Sequence, residues 1–232
     1  MPSHGRVRLG ASFRACQLHS RVVLEMRLIR WNVPRTSHHE GISMQLISGT
    51  PQDLDQGAMT KMAAYRHRVF VEKLGWQLDC RNGLELDQFD REDTVYVVAK
   101  DTCANVIGTA RLLPTHRPYL LGEVFPQLMG GAPIPCSPVI WELSRFAAVD
   151  FSGDSPGPLG QFSSPLTLQL LRATFAVASS LGAQRLITVS PLGVERLLRN
   201  TGFMAHRAGP PVMVGGHPVL ACWIEVQGTT CA

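Results

Sequence analysis

Residues 166–190 read LTLQLLRATFAVASSLGAQRLITVS, and this stretch decides the fold. Leu166–Leu181 is a helix, amphipathic or buried, and Gly182 closes it as the residue past its C-terminus. Arg185–Ser190 (RLITVS) follows as a strand. Upstream, Val139–Val149 (VIWELSRFAAV) is another strand, so the helix joins two strands. Working outward, Met44–Ser48, Thr94–Lys100 (TVYVVAK) and Val106–Leu113 (VIGTARLL) also read as strands. Pro51 suits a helix start, and Leu54, Met62 and Val69 continue an apolar series to about Val71. A Pro/Gly-rich connection spans Pro114–Pro138, and Phe151–Gly160 is a loop. Pro191–Asn200 reads as a helix with Pro at its start and Gly202 after its end. Val212–Val214 and Val219–Val226 form a closing hairpin across Gly215 and Gly216. Strands outnumber helices and only some are joined by helices. The expected fold class is α/β, a twisted mixed sheet with helices packed on it.

The chain has 232 residues, enough to bury roughly 70% of its unfolded surface without a disulfide or metal staple. Hydrophobic residues make up 45% and charged residues 17%, which excludes disorder over most of the length. No apolar run of about 18 residues exists to span a membrane. The net charge of +4 is unevenly placed. Residues 1–43 carry seven Arg and two Glu, whereas the remainder carries 15 basic and 16 acidic residues. A nucleic-acid binder carries its basic charge on a folded face, so nucleic acid is not the expected partner. Residues 1–43 hold no apolar core long enough for a secretory signal. They read as a disordered basic extension or a start placed too far upstream, in preference to an address signal, and residues 44–232 as one domain. Six Cys show neither CxxC nor a paired His motif, so no metal site is expected, and reduced thiols in a cytoplasm are.

Four groups of residues carry chemistry. Arg66 and Phe70 are four apart and share a helix face, and Trp76 follows just past Gly75. Two aromatics and an Arg suit a small ligand with both a cation and a carboxylate. The competing reading is that Phe70 and Trp76 cap a core. The acidic stretch Glu85, Asp87, Asp90, Glu92 and Asp93 comes next, with Asp87 and Asp90 facing one way in a helical turn. It lacks the central Gly of a calcium loop, and a solvated acidic loop is the plain alternative. Arg111 then interrupts the strand VIGTARLL, where a charge is costly unless paired or exposed. Last, Glu142, Ser144 and Arg145 interrupt VIWELSRF. Alternation sets Glu142 and Ser144 on one face and Arg145 on the other, unless a bulge re-aims one of them.

In order, R-x3-F, GW, D-x2-D, G-x-A-R-L and W-E-L-S-R-F resemble the acyl-homoserine-lactone synthase (autoinducer synthase) family of quorum-sensing bacteria. The segment ITVSPLGVERLLRNTGF is similar too, so the resemblance runs from about Met44 to Val226. The preceding 43-residue extension departs from the family. The resemblance implies a GNAT-like acyltransferase fold, with S-adenosylmethionine and an acyl group on acyl carrier protein as substrates. The amine attacks the thioester, and the carboxylate then attacks its own γ-carbon and expels methylthioadenosine. It places functional positions on Arg66, Phe70, Trp76, Asp87, Asp90, Arg111, Glu142 and Arg145, with Phe146 beside them. Phe70 and Trp76 would face the sulfonium, Arg66 or Arg145 the carboxylate, and Glu142 would serve as general base. Asp87 and Asp90 would orient the ammonium or ribose, or brace the arginines. No metal or bound cofactor is required.

A CoA-dependent N-acyltransferase is the competing reading. Such enzymes carry a loop whose amides cradle pyrophosphate, but the corresponding SGDSPGPLGQF has different Gly spacing, and its Asp154 would oppose a phosphate. An acidic carrier instead calls for a basic face, with Arg172, Arg196, Arg199 and Arg207 as candidates. A ligand-binding relic without turnover is the third reading. The acyl chain is expected against Leu168, Leu171, Phe175 and Val189, with Thr188 or Ser190 facing a 3-substituent.

Overall fold

The computed structural model describes residues 44–152 and 164–226. Residues 1–43 and, apart from Ser152, the SGDSPGPLGQF loop with Asp154 lie outside the described residues.

The chain opens with β1 (Gln45–Gly49) and turns at Pro51–Leu54. Asp53 ties that turn, its Oδ2 accepting from Thr50 N at 2.8 Å and Thr50 Oγ1 at 2.7 Å. The helix therefore begins later than Pro51. Asp55 caps α1 (Gln56–Arg66), its side chain accepting from Ala58 N at 2.6 Å, because an extended Asp can satisfy a free N–H of the first turn. A π-helical turn, His67–Lys73, continues α1. Then come β2 (Val95–Lys100) and β3 (Val106–Pro114). The Pro/Gly-rich connection contains α2 (Leu120–Val124) and a 3-10 turn, Pro126–Met129. β4 (Ile140–Ala148), α3 (Pro165–Ser180) and β5 (Arg185–Pro191) form the expected strand–helix–strand unit. Ser164 caps α3, Pro165 opens it, and Gly182 takes φ +80° just beyond its end. Pro191 closes β5 opposite Val219 instead of opening a helix. Gly193, at φ +98°, separates it from α4 (Val194–Asn200). β6 (Ala205–Arg207), a short strand without a clear sequence pattern, precedes β7 (Val212–Val214) and β8 (His217–Glu225).

Among the described residues, eight strands form one sheet in the order β1-β2-β3-β4-β5-β8-β6, with β7 also on β8. Only β4 and β5 run parallel, as a helical crossover requires. The mixed sheet is thus the expected one, and its arrangement is GNAT-like. On one face Leu166, Leu170, Leu171 and Phe175 of α3 and Leu198 of α4 pack against Val97, Leu112, Leu143 and Leu186. Gly108 lets α3 approach closely, since a Cβ there would stand 2.9 Å from Leu170 Cδ2. On the other face Met62 of α1 meets Tyr96 and Val98, while Leu121 and Leu128 meet Leu113 and Ile187.

Two irregularities shape the middle of the sheet. The β4–β5 ladder runs Ile140↔Arg185, Trp141↔Leu186 and Glu142↔Ile187, and then stops. Beyond it β4 continues along β3 and β5 along β8, so the strands part. Just past that point the β3–β4 register slips between Thr109 and Arg111, and Arg145 adopts φ +50°. A non-glycine residue there is strained, and such strain gathers at functional sites.

Candidate active site

The bulge decides where β4 sends its charges. Strict alternation would turn Arg145 toward α3. The extra residue instead places Ser144, Arg145 and Ala147 on the α1 side, and returns Phe146 to the α3-side core. Phe146 therefore does not join Phe70 and Trp76, contrary to its expected place in the ligand site.

Three guanidiniums and three carboxylates interlock there. Arg66, at the end of α1 and 0% exposed, donates from Nε to Glu85 Oε2 at 2.5 Å. Its Nη1 and Nη2 grip Asp90 bidentately at 2.7 and 3.0 Å. Asp90 also accepts from Tyr96 Oη at 2.7 Å and Asp87 N at 2.7 Å, and pairs with Arg111 Nη1 at 3.1 Å. Arg111 donates from Nε to Ser144 Oγ at 3.0 Å and from Nη1 to Asp87 Oδ1 at 2.6 Å. Arg145 donates from Nη2 to Glu85 Oε1 at 2.9 Å and Asp87 Oδ2 at 2.8 Å, with Nε also on Glu85. Burial alone would push the Asp90 carboxyl up. The Arg66 and Arg111 charges overcome this and hold it well below the usual carboxylate range. Glu85 is likewise lowered, with burial opposing and Arg66 and Arg145 prevailing.

Asp87 and Asp90 thus brace the arginines, one of the two roles open to them. Glu85 stands out in the sequence only as one acid among five, yet it joins Arg66 to Arg145. Its signal is alternation: in GLELD, Glu85 and Asp87 are two apart and share a side of an extended segment. Arg66 is fully buried and has each of its three nitrogens in an ion pair with Glu85 or Asp90.

Beside the cluster, Phe70 and Trp76 stack with centroids 4.9 Å apart. Gly75, at φ +71°, turns the chain back, and Trp76 N donates to Phe70 O at 2.9 Å. Phe70 is buried while Trp76 remains 43% exposed. The Arg145 guanidinium carbon stands 5.6 Å from the Phe70 ring and 5.9 Å from that of Trp76.

Glu142 stands apart from the interlocked acids and is fully buried. Its carboxylate accepts from Leu120 N at 3.0 Å and Leu121 N at 2.7 Å, fastening the start of α2. Burial pushes its carboxyl up to about 7, against the Leu121 N–H bond and the Arg111 charge. A carboxyl titrating near neutrality has the affinity a general base needs.

The expected acyl lining divides across the sheet. Leu171 and Phe175 are buried on the α3 side and Leu168 is half-buried. Thr188 and Ser190 share one face of β5, their hydroxyls 3.4 Å apart, whereas Val189 packs on the opposite face toward Trp223. One pocket cannot use all three β5 residues, because successive strand side chains point to opposite faces. Arg196, Arg199 and Arg207 line one depression of about 630 Å³ with Glu195 and Asn200. Arg172 stands exposed on α3. No helix among the described residues is long and apolar enough to cross a membrane.

A GNAT-like sheet with a strained, charge-lined bulge beside an aromatic pair is the arrangement expected of an acyltransferase. The sequence pattern described as autoinducer synthase matches residues 52–231, and the chain belongs to that family as an acyl-homoserine-lactone synthase. The acyl-homoserine-lactone synthase of Acinetobacter nosocomialis is 55% identical over 183 residues, covering 79% of this chain and all of that protein. Among solved structures, TofI in a ternary complex with an inhibitor and MTA is 42% identical, with a TM-score of 0.67 over 78% of this chain and 91% of TofI. BjaI, described as a CoA-dependent acyl-homoserine lactone synthase and solved with SAM and isopentyl-CoA, is 29% identical. Its TM-score is 0.68 over 79% of this chain and 82% of BjaI.

Proposed function

We propose that this chain acylates the amine of S-adenosylmethionine with an acyl group delivered by acyl carrier protein, and then closes the lactone. Glu142 takes a proton from the ammonium, directly or through water. The freed amine attacks the thioester carbonyl and the carrier thiolate leaves. The substrate carboxylate next attacks its own γ-carbon, and the bond to sulfur breaks to release MTA. The observation that carries this reading is the stacked Phe70–Trp76 pair beside the interlocked guanidiniums, which offers apolar rings to a sulfonium and cations to a carboxylate. The MTA and SAM bound to TofI and BjaI support it.

Trp76→Ala is expected to raise the KM for S-adenosylmethionine about 5- to 30-fold, since a cation–π contact is worth up to about 2 kcal/mol when desolvated. The acyl-donor KM should barely move. Equal rises in both would mean that Trp76 supports the fold and not the ligand.

The depression lined by Arg196, Arg199 and Arg207 favours an acidic carrier as donor, while the CoA dependence of BjaI favours the second reading, acyl-CoA. Steady-state release of MTA with matched acyl-carrier and acyl-CoA thioesters decides between them. Carrier thioesters should be the better substrates, and their advantage should shrink as salt rises, because exposed charges are screened over about 8 Å at physiological ionic strength. Arg196→Glu or Arg199→Glu should raise the carrier KM and leave kcat nearly unchanged. Equal use of both donors at low salt would overturn the carrier reading, and no MTA release with either would overturn the reaction itself.

A further inference from the structure

α2 supplies the donors that hold Glu142 but carries no cap of its own. The first N–H groups of a helix have no partner within it, and Tyr119, just before α2, provides no side-chain acceptor. Glu142 of β4 takes that place through Leu120 N and Leu121 N. Where the carboxylate sits therefore depends on what holds the start of α2 from its other side.

That hold comes from the acid loop. Arg91 follows Asp90 in the chain, yet its guanidinium bonds elsewhere. Nε and Nη2 donate to the two oxygens of Asp93 at 2.9 and 3.4 Å, and Nη1 donates to Pro118 O at 2.7 Å. With one edge of the rigid fork on Asp93, the opposite edge is aimed at that carbonyl. Pro118 stands two residues before Leu120. The loop that sends Arg91 there is itself tied: Arg91 N donates to Thr94 Oγ1 at 2.9 Å, and the buried Thr94 hydroxyl donates to Phe89 O at 2.6 Å. Burial opposes ionisation of Asp93, but the Arg91 bond and charge prevail and hold its carboxyl below the usual range. Arg117 pairs with the same carboxylate at 3.2 Å from the exposed turn before Pro118.

We propose that Arg91, aimed by Asp93, is a positioning residue that fixes the start of α2 and so holds the Glu142 carboxylate in place for proton transfer. This rests on the reading of Glu142 as general base. Arg91 thereby ties the loop bearing Asp87 and Asp90 to the segment that fastens the base. The charged and titratable groups facing Glu142 are Arg111 of β3, Arg145 of β4 and Tyr119 before α2. Against these fixed neighbours, the two N–H bonds from α2 favour the ionised carboxylate, so loosening α2 favours the protonated one.

Steady-state MTA release by the full chain, followed over about pH 6 to 9, tests this. Arg91→Ala should move the rise in kcat/KM upward by about 0.5 to 1 pH unit, the worth of one weakened hydrogen bond. Turnover near pH 7 should fall about two- to fivefold and recover at about pH 9, where the carboxyl is ionised in both proteins. The KM for S-adenosylmethionine should barely move. Arg117→Ala removes a positive charge beside Asp93 but not the Pro118 bond, and should keep the wild-type midpoint. Thermal melts establish that each variant is folded. Asp93→Ala, which leaves Arg91 unaimed, should shift the midpoint in the same direction, and it decides alone if Arg91→Ala is not folded. A folded variant whose midpoint stays within about 0.2 unit of wild type overturns the assignment and leaves Glu142 as base. A loss equal at every pH, or an equal shift in Arg117→Ala, does the same. Wild type without a rise near pH 7 overturns the base reading and this inference with it, whereas no MTA release overturns the proposed function as well.

Discussion

Arg66→Ala is expected to lose about 3–5 kcal/mol of stability, the usual cost of deleting one partner of a buried ion pair. The side chain is fully buried and makes three charged hydrogen bonds, so its removal strands Glu85 and Asp90 in a low-dielectric interior. Asp90 keeps Arg111, and Glu85 keeps Arg145, which limits the loss. Denaturant unfolding at pH 7 measures it. A midpoint shift worth less than about 1 kcal/mol would show that the remaining arginines hold the cluster unaided. Acid tests the same network from the other side. Because the folded carboxyls of Asp90 and Glu85 lie below their unfolded values, their contribution is complete above the ordinary carboxylate range of about 4. It is lost as pH falls through the lower folded values. Wild type should therefore weaken below about pH 4, and Arg66→Ala should show a shallower acid dependence.

Local pattern reveals the strands and the long helix, because period and end signals act over a few residues. TVYVVAK, VIGTARLL and the α3–Gly182–β5 unit all fall within a residue or two of their expected bounds. Proline misleads twice, since its fixed φ suits a turn or a strand end as well as a helix start. Pro51 lies in a turn and Pro191 ends β5. Arg111 and Arg145 stand out because a charge inside an apolar strand needs a partner, whereas Arg66, Asp87 and Asp90 are singled out by the resemblance to the family. Which partner is not legible. Glu85 lies 19 residues from Arg66 and 60 from Arg145, distances at which no periodicity speaks. The side of the sheet taken by Arg145 depends on one inserted residue. Phe146 follows from that, leaving the ligand site for the α3 core. Val189 departs from the rest of the expected acyl lining for a related reason: adjacent residues of one strand point to opposite faces, and Val189 packs with Ile187 across the sheet from Thr188.

Glu142→Gln is expected to lower kcat about 10²- to 10⁴-fold, the usual worth of a positioned base. Two roles compete for this residue, since its carboxylate also fastens α2 through Leu120 and Leu121. The amide side chain retains one acceptor oxygen and holds one of those bonds, so the fold should survive. The pH profile separates the roles. Base catalysis needs the ionised form, and burial places that ionisation near pH 7. Wild-type kcat/KM should therefore rise with pH through about 7 and level off above it, and the rise should vanish in the variant. Stability moves the opposite way. A folded carboxyl raised above its unfolded value of about 4.3 contributes fully below that value and loses its contribution as pH rises through about 7. The amide does not titrate, so the variant should gain on wild type in relative stability above neutral pH. A folded variant with turnover within a few-fold of wild type would leave Glu142 as a fastener of α2 and nothing more. A variant that loses turnover while keeping the rise through pH 7 would assign the base to another group, with Glu142 acting only through the position of α2.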